Sequence, residues 1–148
     1  MSYSFRWVVG KRVLLCTFEE DLTVSQIKAL IGDIKVQVQA GDAPMFIIYD
    51  ARQLGKFPTD LKAIRDISEP SSKSVMWSVL IYSYLTQRFI ANMAAQLLGN
   101  RLRTVTSSEA CIHFLLASDP SLYPHMHDLD AALGIGSDSR DSDTVDSN

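Results

Sequence analysis

Apolar residues in this chain fall into blocks of two different periods. SFRWVV (residues 4–9) and RVLLCTF (residues 12–18) are β-branched and aromatic runs separated by Gly10-Lys11. A two-residue connection with Gly at its first position predicts a hairpin. Phe5, Trp7 and Val9 alternate with Ser4, Arg6 and Val8. That alternation predicts an edge strand with one wet face, beside a more evenly apolar inner strand. The period then changes. Val24, Ile27, Ile31, Ile34 and Val38 recur at helical spacing. Thr23 stands before them with Gln26 three residues on, as in a capping box, and Gly41 follows as a stop.

The alternation of periods continues. MFIIYD (residues 45–50) is a short apolar run ending in an acid. Pro58 and Asp60 suit the first turn of a short helix that buries Leu61, Ile64 and Ile67. SEPSSKS (residues 68–74) is a polar connector. Residues 75–82 are almost continuously apolar and predict a central strand covered on both faces. Thr86 or Ser83 opens another helix, with Phe89, Ile90, Met93, Ala94, Leu97 and Leu98 as its stripe. RLRTV predicts a last short strand. Thr106 and Glu109 predict a second capping box, on a helix that packs through Ala110, Phe114 and Leu115 or residues near them. Asp119-Pro120 ends that helix, and residues 121–133 hold a further helical turn. Strand–strand–helix followed by strand–helix units predicts an α/β domain. We expect a five-stranded mixed sheet: the N-terminal hairpin first, then alternating helix and strand, with about four helices mainly on one face. The domain spans residues 1–133. Residues 134–148 are Ser- and Asp-rich with almost nothing to bury, and predict a disordered acidic tail.

Charge narrows the function classes. The 148 residues carry 14 Lys and Arg against 17 Asp and Glu. The tail holds four Asp and one Arg, so the body is left with 13 of each sign. A neutral body has no general attraction for phosphate backbones, which argues against nucleic-acid binding. A polybasic membrane patch is also missing, as is any apolar run long enough to span a bilayer. The N-terminus lacks the pattern of a secretory signal. Cys16 and Cys111 lie inside apolar segments and are expected to be buried, reduced thiols of a cytoplasmic protein.

Candidate chemistry is sparse. His125, His127 and Asp128 are metal-ligating types at a spacing that suits a solvated turn better than a metal site. Cys111 and His113, two apart on a helix, point in different directions. Glu19, Glu20 and Asp21 precede a helix and serve its dipole. The sequence contains no GxGxxG, Walker A, GxSxG or HExxH pattern. We therefore expect no enzyme, no cofactor and no metal. In open α/β sheets ligands gather outside the carboxyl ends of parallel strands. That places the candidate regulatory or ligand rim at Asp50, Arg52, Thr59, Tyr84, Arg88 and Ser107, where helix N-termini point their N–H groups.

The order of these motifs resembles the STAS or SpoIIAA-like (STAS/SEC14-type) domains of bacteria. FIIYDAR is similar to a strand of that family ending in an acid, TVTSSEACIHFL to its strand leading into an S-x-E-A helix, and Leu22-Thr23 to the opening of its first helix. The resemblance covers roughly residues 3–116. It implies a non-enzymatic regulatory or protein-interaction domain, of the kind used in partner-switching signalling circuits. Its contact surface would be residues 57–67. Well-known members carry a phosphorylated Ser in a D-S-S/T-G motif at the start of the second helix. KFPTDLKAI lacks that motif. Pro58 falls about where the Ser would lie, and Thr59 is the nearest hydroxyl. The alternative within the same fold is a small-molecule or lipid-binding domain with an apolar cavity near Trp77, Tyr82, Phe89 and Met93. An unpaired edge strand also invites homodimerisation through the hairpin, against which Lys11, Arg12 and Arg6 count.

Overall fold

A computed structural model describes residues 3–58, 74–83 and 101–135. Two of the predicted helices, from Pro58 and from Thr86, lie outside the described residues, as do most of the SEPSSKS connector and residues 136–148. The elements in chain order are β1 (Tyr3–Val9), β2 (Val13–Phe18), α1 (Val24–Ala40), β3 (Met45–Asp50), β4 (Val75–Ile81), β5 (Leu102–Val105), α2 (Ser108–Ser118), a 3-10 helix (Pro120–His125) and α3 (Met126–Ala132). The strands form one five-stranded sheet in the order β1-β2-β3-β4-β5. β1 is antiparallel to β2, and the other three pairings are parallel. This is the mixed α/β sheet that the sequence predicts.

Local chemistry explains the boundaries. Gly10 takes a positive φ of 48°, and the Arg12 N–H closes the turn on the Val9 carbonyl at 2.8 Å. Such a backbone is open to Gly at little cost. Thr23 caps α1 in a full capping box with Gln26, as expected. At the other end the Gly41 N–H donates to the Val38 carbonyl.

One predicted face is wrong by a single residue. Trp7 and Val9 do not lie on one side of the sheet, because the β1–β2 register shifts between them. The bulge leaves Phe5 and Trp7 on the α1 side and turns Val9 into the opposite core. An extra residue in a period of two inverts every position beyond it.

Strand parity divides the core. Leu14, Cys16, Ile47, Tyr49 and Leu80 face α1, where Ile27 and Leu30 meet them. Val13, Leu15, Phe46, Ile48, Val79 and Ile81 face the other way, toward Cys111, Ile112, Leu115 and Leu116 of α2 and Leu129 of α3. Of the three described α-helices, two therefore pack on one face and one on the other. β3 is buried on both faces along Met45–Tyr49. The expected packing of α2 is partly corrected: Leu115 is buried, but Ala110 is exposed and Cys111 takes the inward place. Phe114 sits at the rim of this core, edge-on to Trp77 with centroids 5.1 Å apart, and Arg103 lies over its ring.

At the amino ends of the parallel strands, Arg12 ties three segments together. Its guanidinium donates to the Pro44 carbonyl at 2.6 Å and pairs with Asp119, the residue that closes α2. The Asp119 carboxyl is held below its ordinary range, first by the Ser121 hydroxyl and then by Arg12. Folding therefore favours the ionised form. Its contribution is complete above the ordinary Asp pKa of about 4 and disappears as pH falls through the lower folded value. Asp119→Asn preserves an N-capping oxygen for Ser121 and removes the charge. We expect it to cost about 1 kcal/mol at pH 7, with the difference from wild type shrinking as pH falls below about 4. Urea titrations of both proteins across that range would show a constant gap if the pair contributes nothing through charge.

Candidate functional site

The carboxyl ends of β3, β4 and β5 are held level by backbone bonds that continue the sheet past the strands. The Ala51 N–H donates to the Ile81 carbonyl at 2.9 Å, and the Tyr82 N–H to the Val105 carbonyl at 3.0 Å. Asp50 ends β3. It follows Phe46 and Ile48 in the period of two, which puts it on the face covered by α2. Its carboxylate takes three donors from Arg52: the backbone N–H at 3.2 Å, Nε at 2.9 Å and Nη2 at 2.8 Å. This is a local turn closed by a two-pronged ion pair. The two side chains are 15% and 30% exposed, so the pair reaches the surface without being free in solvent.

The pair stands beside the first turn of α2. Hydrogen bonding to Asp50 raises the Arg52 pKa, and the charge of Glu109 adds to that rise. Burial chiefly pushes the Cys111 thiol up to about 12; the Asp50 charge also raises it, while Arg52 opposes. Ser107 caps the helix, its Oγ accepting the Ala110 N–H at 3.1 Å. The predicted cap was Thr106. The chain is still extended at Ser107 (φ −145°, ψ 157°), so the hydroxyl one residue later meets the third helical N–H. Ser108 turns inward instead and donates to the Leu133 carbonyl at 2.9 Å. That contact spans 25 residues, and no local pattern signals it.

Of the six predicted rim residues, the structure brings Asp50 and Arg52 into direct contact and sets Ser107 at the neighbouring helix end. Thr59, Tyr84 and Arg88 lie outside the described residues, and so does most of the predicted contact surface 57–67. The loop leading toward it is pinned. Leu22 N–H donates to the Lys56 carbonyl at 2.9 Å, Gly55 N–H to the Glu20 carbonyl at 3.3 Å, and Lys56 N–H to Asp21 Oδ1 at 2.6 Å. A Cβ on Gly55 would collide with the Asp21 carboxylate. Asp21 thus holds the rim loop as well as preceding α1, a role the sequence does not reveal.

Of the four residues named for an apolar cavity, Trp77 and Tyr82 lie on opposite faces of the sheet. Trp77 packs against the α2 core and Tyr82 against the α1 core. Trp77 lies on β4 and Tyr82 directly follows it, and their odd and even positions already place them on opposite faces. Phe89 and Met93 lie outside the described residues. On the α1 face the fully buried Tyr49 hydroxyl has no hydrogen-bond partner of adequate geometry; Ser78 is its polar neighbour. Cys16 is buried there too, and burial pushes its thiol pKa upward. His125 Nδ1 lies 4.0 Å from Asp128 on the exposed turn that leads into α3. Among the described residues no three His, Cys, Asp or Glu side chains converge to hold a metal ion. No helix among them is long and apolar enough to cross a membrane.

No family model matches the chain. No curated protein matches it either. A solved structure similar to it is that of an uncharacterised DUF3478 family protein from Shewanella loihica PV-4, described as having a SpoIIAA-like fold. The two are 12% identical over 76% of this chain and 91% of that one, with a TM-score of 0.47.

Proposed function

We propose that this protein is a non-enzymatic regulatory domain that binds a protein partner at the carboxyl rim of its sheet, in a cytoplasmic partner-switching circuit. The observation that carries this reading is that the candidate reactive groups of the described rim are already occupied. Asp50 is held by Arg52, the Ser107 hydroxyl by its own helix, and the Cys111 thiol by burial. A nucleophile or general base needs a group released toward substrate. What the rim offers is a partly exposed, two-pronged charge pair beside a pinned loop, which suits recognition.

The test is native mass spectrometry of the full chain purified gently from its own host. A stoichiometric protein partner is expected. The double variant Asp50→Asn/Arg52→Gln removes both charges and retains amide donors and acceptors. It should lower the bound fraction at least tenfold while leaving the melting temperature within about 5 °C. A complex that survives the double variant unchanged would move the contact elsewhere.

A small-molecule or lipid-binding domain is the second reading. It draws on the Tyr49 hydroxyl, a buried polar group with an unmet hydrogen bond among the described residues. A co-purifying metabolite or lipid in the same spectrum would favour it over a protein partner.

A further inference from the structure

Among the described residues, β1 pairs on one side only, with β2, so its outer edge carries unpaired N–H and C=O groups. The regular part of that edge is short. It runs from Tyr3 to Trp7 and stops at the bulge before Val9. We propose that this edge pairs with the same edge of a second copy of the chain, antiparallel, about a two-fold axis through Phe5.

The register follows from the residues. An axis at Phe5 uses all five regular positions and none beyond the bulge. On the α1 face it sets Tyr3 opposite Trp7 of the second copy, with the two Phe5 rings between them. Phe5 and Trp7 are only half-buried in the single chain, and Tyr3 and Phe5 already meet edge-on at 5.7 Å. Pairing would extend this aromatic row across the axis and remove its remaining contact with water. The polar ends of the row are tied down, since Tyr3 Oη donates to Asp33 and Trp7 Nε1 to Gln37. The flank of α1 that carries Asp33 also presents Ala29, the exposed Val36 and Ala40, and its one long side chain, Gln37, is turned onto Trp7.

The opposite face supplies the charge fit. Arg6 is exposed, and the register sets it opposite Ser4 of the second copy instead of against another Arg6. α3 packs beside β1 on this same face and carries Asp128 and Asp130. Each copy thus brings a cation on β1 toward a face whose flanking helix is acidic. This contact is separate from the carboxyl rim, and neither proposal depends on the other.

Sedimentation equilibrium of the full chain from 1 to 100 µM tests it. Wild type is expected at twice the chain mass in the upper part of that range. Ser4 is exposed, so its substitution leaves the core untouched. Ser4→Lys adds like charge opposite Arg6 at two symmetric places, and Ser4→Glu adds opposite charge there. The two dissociation constants should lie about tenfold apart on either side of wild type, with Ser4→Lys the weaker dimer. A monomer throughout the range would overturn the proposal. So would a dimer on which Ser4→Lys and Ser4→Glu act equally. A monomer whose β1 edge amides are protected from hydrogen exchange would also overturn it, and would assign the edge to another part of the same chain.

Discussion

Phe46→Ala is expected to remove about 3–5 kcal/mol of stability, the largest single loss among the described core positions. Phe46 has no exposed surface and is among the largest fully buried side chains. It lies on β3, between Val13 of β2 and Trp77 of β4, where the sheet meets α2 and α3. Its neighbours are held by strand pairing on both sides, so the void cannot collapse easily. A domain of ordinary stability has about 5–15 kcal/mol in all, so the variant should sit near the edge of folding at 37 °C. Denaturant titration of Phe46→Ala beside Phe46→Leu would check this. The leucine variant should recover more than half of the loss, because it refills most of the volume. Equal, small losses in both variants would show that β3 is not the centre of the core.

The two thiols should be almost inert in the folded protein. Thiolate is the reacting form, and it must be reached by the reagent. Cys16 and Cys111 both have no exposed surface, on opposite faces of the sheet. With the Cys111 thiol pushed up to about 12, its thiolate fraction at pH 7 is about 10⁻⁵, against a few per cent for a free cysteine. Together with exclusion of the reagent, this predicts labelling by an aromatic disulfide at least 10³-fold slower than in denaturant. The rate of labelling should rise in step with unfolding as urea is added. A fast-reacting thiol in native buffer would instead place one cysteine at the surface. It would also make a redox role for that thiol possible, which burial of Cys111 argues against.

The strand ends, the capping box at Thr23 and the buried course of β3 are local properties, and residue type and spacing express them directly. Period alone separates β1, β2 and β3 from α1, because burying one face of a strand or a helix demands that repeat. The place of Asp50 and Arg52 was legible for the same reason. An acid that ends an apolar run in an α/β pattern marks a carboxyl rim. That the two residues grip each other was not, because a pair two apart meets only when the backbone turns between them. Ser107 was found as a rim residue, yet its capping role went to Thr106, since two adjacent hydroxyls compete and the exit angle of β5 selects one.

Sequence by itself thus determined the α/β class, the succession of strands along the chain and which residues end β3 at the carboxyl rim. The tertiary structure decided the rest. The bulge at the end of β1 sends Val9 to the other core, Ser108 closes on Leu133, and Asp21 clamps the rim loop through Lys56. The sheet divides Trp77 from Tyr82, and the fork between Asp50 and Arg52 leaves the rim with a closed charge pair. The physical reason is the range of the forces. Propensity, capping and hydrophobic period act over a few residues and are written in neighbours. Register shifts, long-range hydrogen bonds and the pairing of charges depend on which distant segments pack together, and they exist only once the sheet has assembled.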